Sequence, residues 1–516
     1  MIKAVHESRN IMQQRNYFGK SATAVAMCTA LSWAAYVAFG GQAPPQEWNI
    51  LLITSDEHNA KIMGCAGHPV IQTPGMDRLA REGTMFTRAY CAVPVCAPTR
   101  QTLITGRYPE EHGQFSNAHR FDERNLTWAH HFKQHGYTTA CIGKMHNNNE
   151  QFSFGFDLRL RQGEGDEEAD SAIPKGRRGG GKNTLDPTEQ KIYDGIADTR
   201  LRGWPVDNAE ATGDGLVCNS AIQYLRKNKD RKFFLHVSMV KPHWPWNAPK
   251  DFYFMYDPQK IDLPPVIPGD LANDPVPQEE FTKFKWNEMT EAQRRLGRAR
   301  YYGSLSWLDS HVKRLLETLD ELKLTGKTLV IYTTDHGDMA AEKGLWLKTL
   351  MFDASARVPL LMRMPGMLKP GTTNGVLINH VDLFPTWAGL VGTEKDLPAN
   401  LTGKDLTGSI LRGEPGPEYT FSVYGIRSAD EAPERVMARS QRWKLIRYDR
   451  YLNEGRGLVL YDMEKDPDEM ANLARDPHYK DIVAAHSAAM DRFLASLKKP
   501  DYPVVRMEKE RKQRVK

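Results

Sequence analysis

The segment Trp48-Asn49-Ile50-Leu51-Leu52-Ile53-Thr54-Ser55-Asp56 constrains the fold most. An unbroken apolar run with no polar alternation suits a strand covered on both faces, as in a parallel sheet. Its polar end, closing on Asp56, is the carboxyl edge at which open parallel sheets carry ligands. The pattern returns over residues 232–240 and 328–334, the latter directly before Asp335-His336. Helical stretches fall between, around 76–82, 220–227 and 304–322. This alternation predicts an α/β fold: a large mixed, mostly parallel sheet sandwiched by helices. After about Pro398 the texture changes, and residues 442–448 and 457–462 read as two strands of a smaller antiparallel sheet, followed by a helix over 479–497. A catalytic domain over 46–398 and a C-terminal α+β subdomain over 399–500 are therefore expected. The Gly-rich stretch 161–183 reads as a mobile insertion, and the Pro- and acid-rich stretch 258–284 as a surface loop.

Lys and Arg total 69 against 64 Asp and Glu, a formal charge of +5 with the signs mixed, which gives no sign of a nucleic-acid partner. The basic tail within 501–516 reads as a solvated helix end. Residues 1–45 differ in kind, because Arg15 and Lys20 precede an uncharged run from Ser21 to Gly41 with a small-residue exit at Gly40-Gly41. They are expected to be a signal that hands the chain to export machinery, making the protein periplasmic or secreted, with an uncleaved membrane anchor as the rival. A twin-arginine route is suggested only weakly, since Arg15 stands without a partner. Cysteines occur at 28, 65, 91, 96, 141 and 218, too few and too scattered for a disulfide framework and without a Cys-x-x-Cys pair for thiolate zinc.

One cysteine has its own context: Cys96-Ala97-Pro98-Thr99-Arg100, continued by Gln101-Thr102-Leu103-Ile104-Thr105-Gly106-Arg107-Tyr108-Pro109. Alone, the motif is equally a helix start with Pro98 in its first turn and a small buried thiol. It does not stand alone. In order along the chain come residues 51–56, the Cys96 motif, Gly143-Lys144-Met145-His146, Lys241-Pro242-His243-Trp244-Pro245, Thr334-Asp335-His336-Gly337-Asp338, and residues 344–348 leading to Ser355-Ala356-Arg357-Val358-Pro359. With these matches the sequence resembles the formylglycine-dependent sulfatases of the alkaline-phosphatase-like superfamily from about Trp48 to Leu497, in a branch near choline sulfatases and phosphonate monoester hydrolases.

The resemblance implies that a maturation enzyme oxidises Cys96 to formylglycine, whose hydrate attacks sulfur and then expels sulfate by collapsing back to the aldehyde. Thr99 replaces the family's usual serine and leaves the Cys, Pro and Arg of the signal intact. Asp56, Asp335 and His336 match ligands of one divalent cation, calcium first and manganese as the alternative that an imidazole ligand admits, with the modified Cys96 side chain completing the set. Relatives often carry two acids where this chain has Ser55-Asp56, so Ser55 or Glu57 is a candidate extra ligand. Arg100 matches the arginine bracing the nucleophile, and Lys144 and Lys348 match sulfate-binding lysines. His243 matches the residue that protonates the leaving oxygen, His146 the one that takes a proton from the diol, and Asn117 a substrate-site asparagine. Trp244 and Trp246 read either as sugar-stacking residues or as loop anchors. His112, His119, His130 and His131 read as loop or surface histidines.

The implied substrate is a sulfated carbohydrate. Choline sulfate or another small sulfate ester, and a phosphonate or phosphodiester, are the alternatives. Retention of Lys144 and His146 favours sulfate. A non-catalytic glycan binder would have lost the nucleophile or the metal carboxylates, and neither is lost.

Overall fold

The computed structural model describes residues 47–507, apart from 150, 161–186, 209–211, 268–269 and 429. The expected N-terminal segment, the Gly-rich insertion and the end of the basic tail lie outside the described residues.

The central sheet contains β1 (Asn49–Asp56), β2 (Thr84–Phe86), β3 (Thr138–Gly143), β4 (Leu158–Leu160), β5 (Phe233–Pro242), β6 (Thr328–Thr334), β7 (Leu360–Arg363) and β8 (Thr372–Asn374), in the order β8-β2-β7-β6-β1-β5-β3-β4. Only β7 runs against its neighbours. The middle strand, β1, is parallel to β6 on one side and to β5 on the other. Its side chains alternate between two cores, Leu51 and Ile53 into one and Ile50 and Leu52 into the other. That two-sided burial is why the strand reads as an uninterrupted apolar run.

Helices α1 (Pro74–Glu82), α4 (Gly213–Asn228) and α5 (Glu291–Glu321) cover the first face, while α2 (Cys96–Thr105), α3 (Trp128–Gln134) and α6 (His380–Val391) cover the second. Thr290 opens α5 through reciprocal bonds with Gln293, 3.3 Å to the Gln293 amide N–H and 2.8 Å back to the Gln293 side chain. In the stretch expected to be loop, residues 275–283 form a helix.

The C-terminal sheet has four strands, β9 (Thr420–Tyr424), β10 (Arg435–Arg439), β11 (Trp443–Tyr448) and β12 (Leu458–Asp462), all antiparallel, with α7 (Lys480–Ser496) packed on it. Its core is continuous with Tyr108, Phe115 and Val381 of the larger unit. Among the described residues no helix is long and apolar enough to cross a membrane.

Candidate active site

Neighbouring strands deliver the predicted residues to one place. β1 ends on Asp56, Lys144 follows β3, His243 follows β5, and Asp335 and His336 follow β6. Cys96 is the first residue of α2, where orphan backbone N–H groups favour an anion. Gly143 makes the approach of Lys144 possible: its φ is +111°, and a Cβ there would fall 1.9 Å from the carbonyl oxygen of Ser238. The Lys144 amide then donates to that same carbonyl at 2.9 Å.

Arg100, one turn into α2, is buried and ties the strands together. It donates to Asp335 Oδ2 (2.8 Å), Asp56 Oδ2 (2.9 Å), Ser238 Oγ (2.7 Å), and the carbonyls of Lys144 (3.1 Å) and Ser55 (3.3 Å). Lys144 Nζ lies 2.8 Å from Asp56 Oδ2. Burial pushes the Asp56 carboxyl up, but Lys144, His243, Arg100 and Lys348 together hold it well below the usual carboxylate range. Lys348 Nζ reaches Cys96 Sγ at 3.0 Å and Glu57 Oε2 at 3.5 Å. Burial and Asp56 raise the Cys96 thiol, whereas Lys348, Lys144 and His336 lower it, and the net direction is strongly down.

Asp56, Cys96, Asp335 and His336 each present a ligand atom, all within 4.8 Å of one another, and all four are buried. His336 Nδ1 donates to the Gly337 carbonyl at 2.9 Å, which leaves Nε2 facing Cys96 Sγ at 3.3 Å and Asp56 Oδ1 at 3.7 Å. Carboxylate oxygens with one oriented imidazole fit a divalent cation such as calcium or manganese. Burial and Lys348 depress the His336 imidazole, yet Asp335 and Cys96 outweigh them and push it up to about 9.

Of the two candidate extra ligands, Ser55 turns away, accepting from Tyr332 Oη at 3.0 Å. Glu57 turns in. Its left-handed backbone, φ 69°, is held by its N–H to Asp335 Oδ1 (3.1 Å), and its carboxylate lies between Lys348 and His243 Nε2, the latter at 3.7 Å. Asp56, Glu57 and His243 form a second carboxylate–imidazole group, but the positive charge there comes from Lys348 and Lys144. His243 donates Nδ1–H to the Trp244 carbonyl at 2.6 Å, so Nε2 faces the site.

Two predicted residues sit differently. Asn117 Oδ1 accepts the Ala97 N–H at 3.0 Å and so braces the start of α2 beside Cys96. His146, two residues after Lys144, has φ 53°; its carbonyl accepts from Gln114, its Nδ1 is buried without a partner, and no hydrogen bond joins it to Cys96. The two tryptophans divide: Trp246 is buried against Trp346 and Tyr301, an anchor, whereas half-buried Trp244 stacks on His243. His112, His119 and His131 are buried, not superficial.

Comparison with known proteins identifies the family. A family model described as Sulfatase matches residues 48–393, and one described as N-sulphoglucosamine sulphohydrolase, C-terminal, matches 341–496. The chain therefore belongs to the sulfatase family and is a hydrolase of sulfate esters on the alkaline-phosphatase-like fold. It is 29% identical over 471 residues to a choline-sulfatase of Rhizobium meliloti, covering 85% of this chain and 86% of the relative. It is 30% identical over 463 residues to an arylsulfatase of Clostridium perfringens, covering 84% and 92%. Among solved structures, a phosphonate monoester hydrolase from Silicibacter pomeroyi superposes with a TM-score of 0.72 over 88% of this chain and 96% of that one, at 22% identity.

Proposed function

We propose that the enzyme cleaves a carbohydrate sulfate through a formylglycine made from Cys96, with a divalent cation, calcium before manganese, held by Asp56, Asp335 and His336. The observation that carries this reading is that Cys96 Sγ lies at once in the carboxylate–imidazole cluster and 3.0 Å from Lys348 Nζ. The hydrated aldehyde supplies a nucleophile that can release sulfate without a second displacement. The cation supplies charge that favours the ionised form of that nucleophile.

The chain's own residues do the rest. Lys144 and Lys348 neutralise sulfonyl oxygens as their charge grows in the transition state. Arg100 bridges Asp56 and Asp335, and its charge opposes the burial that pushes both carboxyls up. His243, with Nδ1–H committed to Trp244, offers Nε2 to the leaving oxygen, and Glu57 orients it. His146, whose Nδ1 has no partner, takes the proton from the diol when sulfate leaves. Asn117 sets α2, and through it Cys96.

Two features favour a carbohydrate over choline sulfate. Residues 341–496 match the model described as N-sulphoglucosamine sulphohydrolase, C-terminal. The carboxylates against Lys348 and Thr349, Glu57 and Glu280 respectively, are already paired, with Lys348 and with Arg435, rather than offered to a quaternary ammonium. A maturation enzyme and an export route belong to the same reading. The test is sulfate release from defined sulfated sugars, with choline sulfate and a bis-nitrophenyl phosphate alongside. Higher kcat/KM on a sugar sulfate is expected; preference for choline sulfate or for the phosphate diester would overturn the substrate assignment.

A further inference from the structure

Lys348 sits in a backbone that would not hold its shape unaided. Its neighbours Leu347 and Thr349 both have left-handed φ, 63° and 80°. For a β-branched residue such as Thr349 this is a steric outlier, and such conformations persist only where the surroundings fix them. On the Leu347 side, the amide donates to Asp338 Oδ1 at 3.1 Å and the carbonyl accepts from the Met339 N–H at 2.7 Å. On the other side, the Thr349 N–H donates to the carbonyl of Pro94, in the segment leading into Cys96, at 3.0 Å. The Thr349 carbonyl is taken by Arg435 Nη1 at 2.8 Å.

Arg435 comes from the C-terminal sheet, on β10, 86 positions away from Thr349. Its second nitrogen, Nη2, donates to Glu280 Oε1 at 2.9 Å, and that same oxygen accepts from Thr349 Oγ1 at 3.4 Å. The guanidinium lies 4.7 Å from the centre of the Tyr424 ring, its cross-strand partner. Three separate parts of the chain thus close on one strained peptide: the helix over 275–283, the Lys348 loop and the C-terminal sheet. Both charged groups are mostly buried, 11% and 14% exposed, so the pair is shielded from screening.

We propose that Arg435, locked by Glu280, is a positioning residue that holds Lys348 on the nucleophile, so that the C-terminal sheet completes the active site. The proposal rests on the sulfatase reading for Lys348, and it differs from simple gluing of two units in one respect. A gluing pair would act on stability wherever Lys348 points. A clamp acts through Lys348 alone.

The experiment compares Arg435→Gln, Arg435→Lys and Glu280→Gln with the parent, each also in a Lys348→Ala background. A displacement of a catalytic group by about 1 Å costs roughly 100-fold, so Arg435→Gln should lower kcat/KM by about 10- to 100-fold, with Arg435→Lys recovering part of it. In the Lys348→Ala background the same change should matter less than about 3-fold. Hydrogen exchange of the peptide spanning 345–351 should speed up in Arg435→Gln while exchange in the central sheet stays as in the parent. An undiminished loss in the Lys348→Ala background, or unchanged exchange over 345–351, would overturn the clamp. Should the parent itself release no sulfate, the sulfatase reading fails, and the exchange measurement still decides whether Arg435 holds the loop.

Discussion

Replacing Arg100 by Gln removes the cation that two buried carboxylates share. In the parent, the guanidinium holds Asp56 Oδ2 at 2.9 Å and Asp335 Oδ2 at 2.8 Å. The two acids fare differently without it. Asp56 keeps Lys144 at 2.8 Å, whereas Asp335 keeps the backbone amides of Glu57 at 3.1 Å and His336 at 2.8 Å on Oδ1 and, as a more distant cationic neighbour, the His336 imidazole at 3.6 Å. Breaking a buried ion pair from one side costs about 3–5 kcal/mol, chiefly because the remaining charge stays buried and unpaired. Most of that cost therefore falls on Asp335. A divalent cation restores a positive partner, so the deficit should be large in chelator and small in saturating calcium. Urea denaturation of parent and variant in both buffers reads this as the gap between their midpoints. A variant as stable as the parent in chelator, or a gap that calcium leaves unchanged, would refute the reasoning.

Lys348→Ala should lower kcat by about 100- to 1,000-fold on a sulfate ester, the usual loss for one preorganised transition-state donor; steady-state kinetics checks it, and a loss under threefold contradicts the role. Because the His336 imidazole is pushed up to about 9, it carries a proton at neutral pH and must release it to bind a cation. Calcium affinity, followed by calorimetry in buffers of different ionisation heat, should then rise from pH 6.5 to 8.5 with proton release; a flat profile would contradict it. Glu110 has both carboxyl oxygens buried without partners, and burial pushes it up to about 8. The folded chain holds this proton where the unfolded chain has lost it, so stability falls as pH rises from about 4.5 to 8, by about 1.4 kcal/mol per unit of separation. Glu110→Gln should match the parent near pH 4 and exceed it at pH 8 in denaturation midpoint.

The centre of the fold was legible because β1, β5 and β6 are buried on both faces and therefore read as apolar runs, with the site residues at their ends. What stayed hidden had specific causes. The first half of α5, from Glu291 to Gly303, is studded with arginines and two glycines; only the folded chain shows Arg298 paired with Asp262, Arg300 with Glu189, and Gly303 against the Phe252 carbonyl. The edge strands β4 and β8 and the strand β2 next to β8 have three residues each, too few for a period. Glu57 was visible only as a possible ligand, because its turn toward His243 and Lys348 depends on a left-handed backbone tied to Asp335, far along the chain. The Arg435 clamp leaves no local pattern at all. His112, His119 and His131 read as loop or surface histidines because that is the commoner setting for the residue, yet each is buried with a hydroxyl partner, Thr102, Ser116 and Thr393 respectively.

The most direct test of the central claim is to coexpress the protein with a formylglycine-generating enzyme and follow two quantities on one sample: the mass of the peptide containing Cys96, and free sulfate released from a sulfated sugar. The account predicts that sulfate release scales with the converted fraction and vanishes in Cys96→Ala, while Cys91→Ala, which alters a buried neighbouring thiol, keeps it. Equal sulfate release from unconverted or Cys96→Ala protein would contradict it.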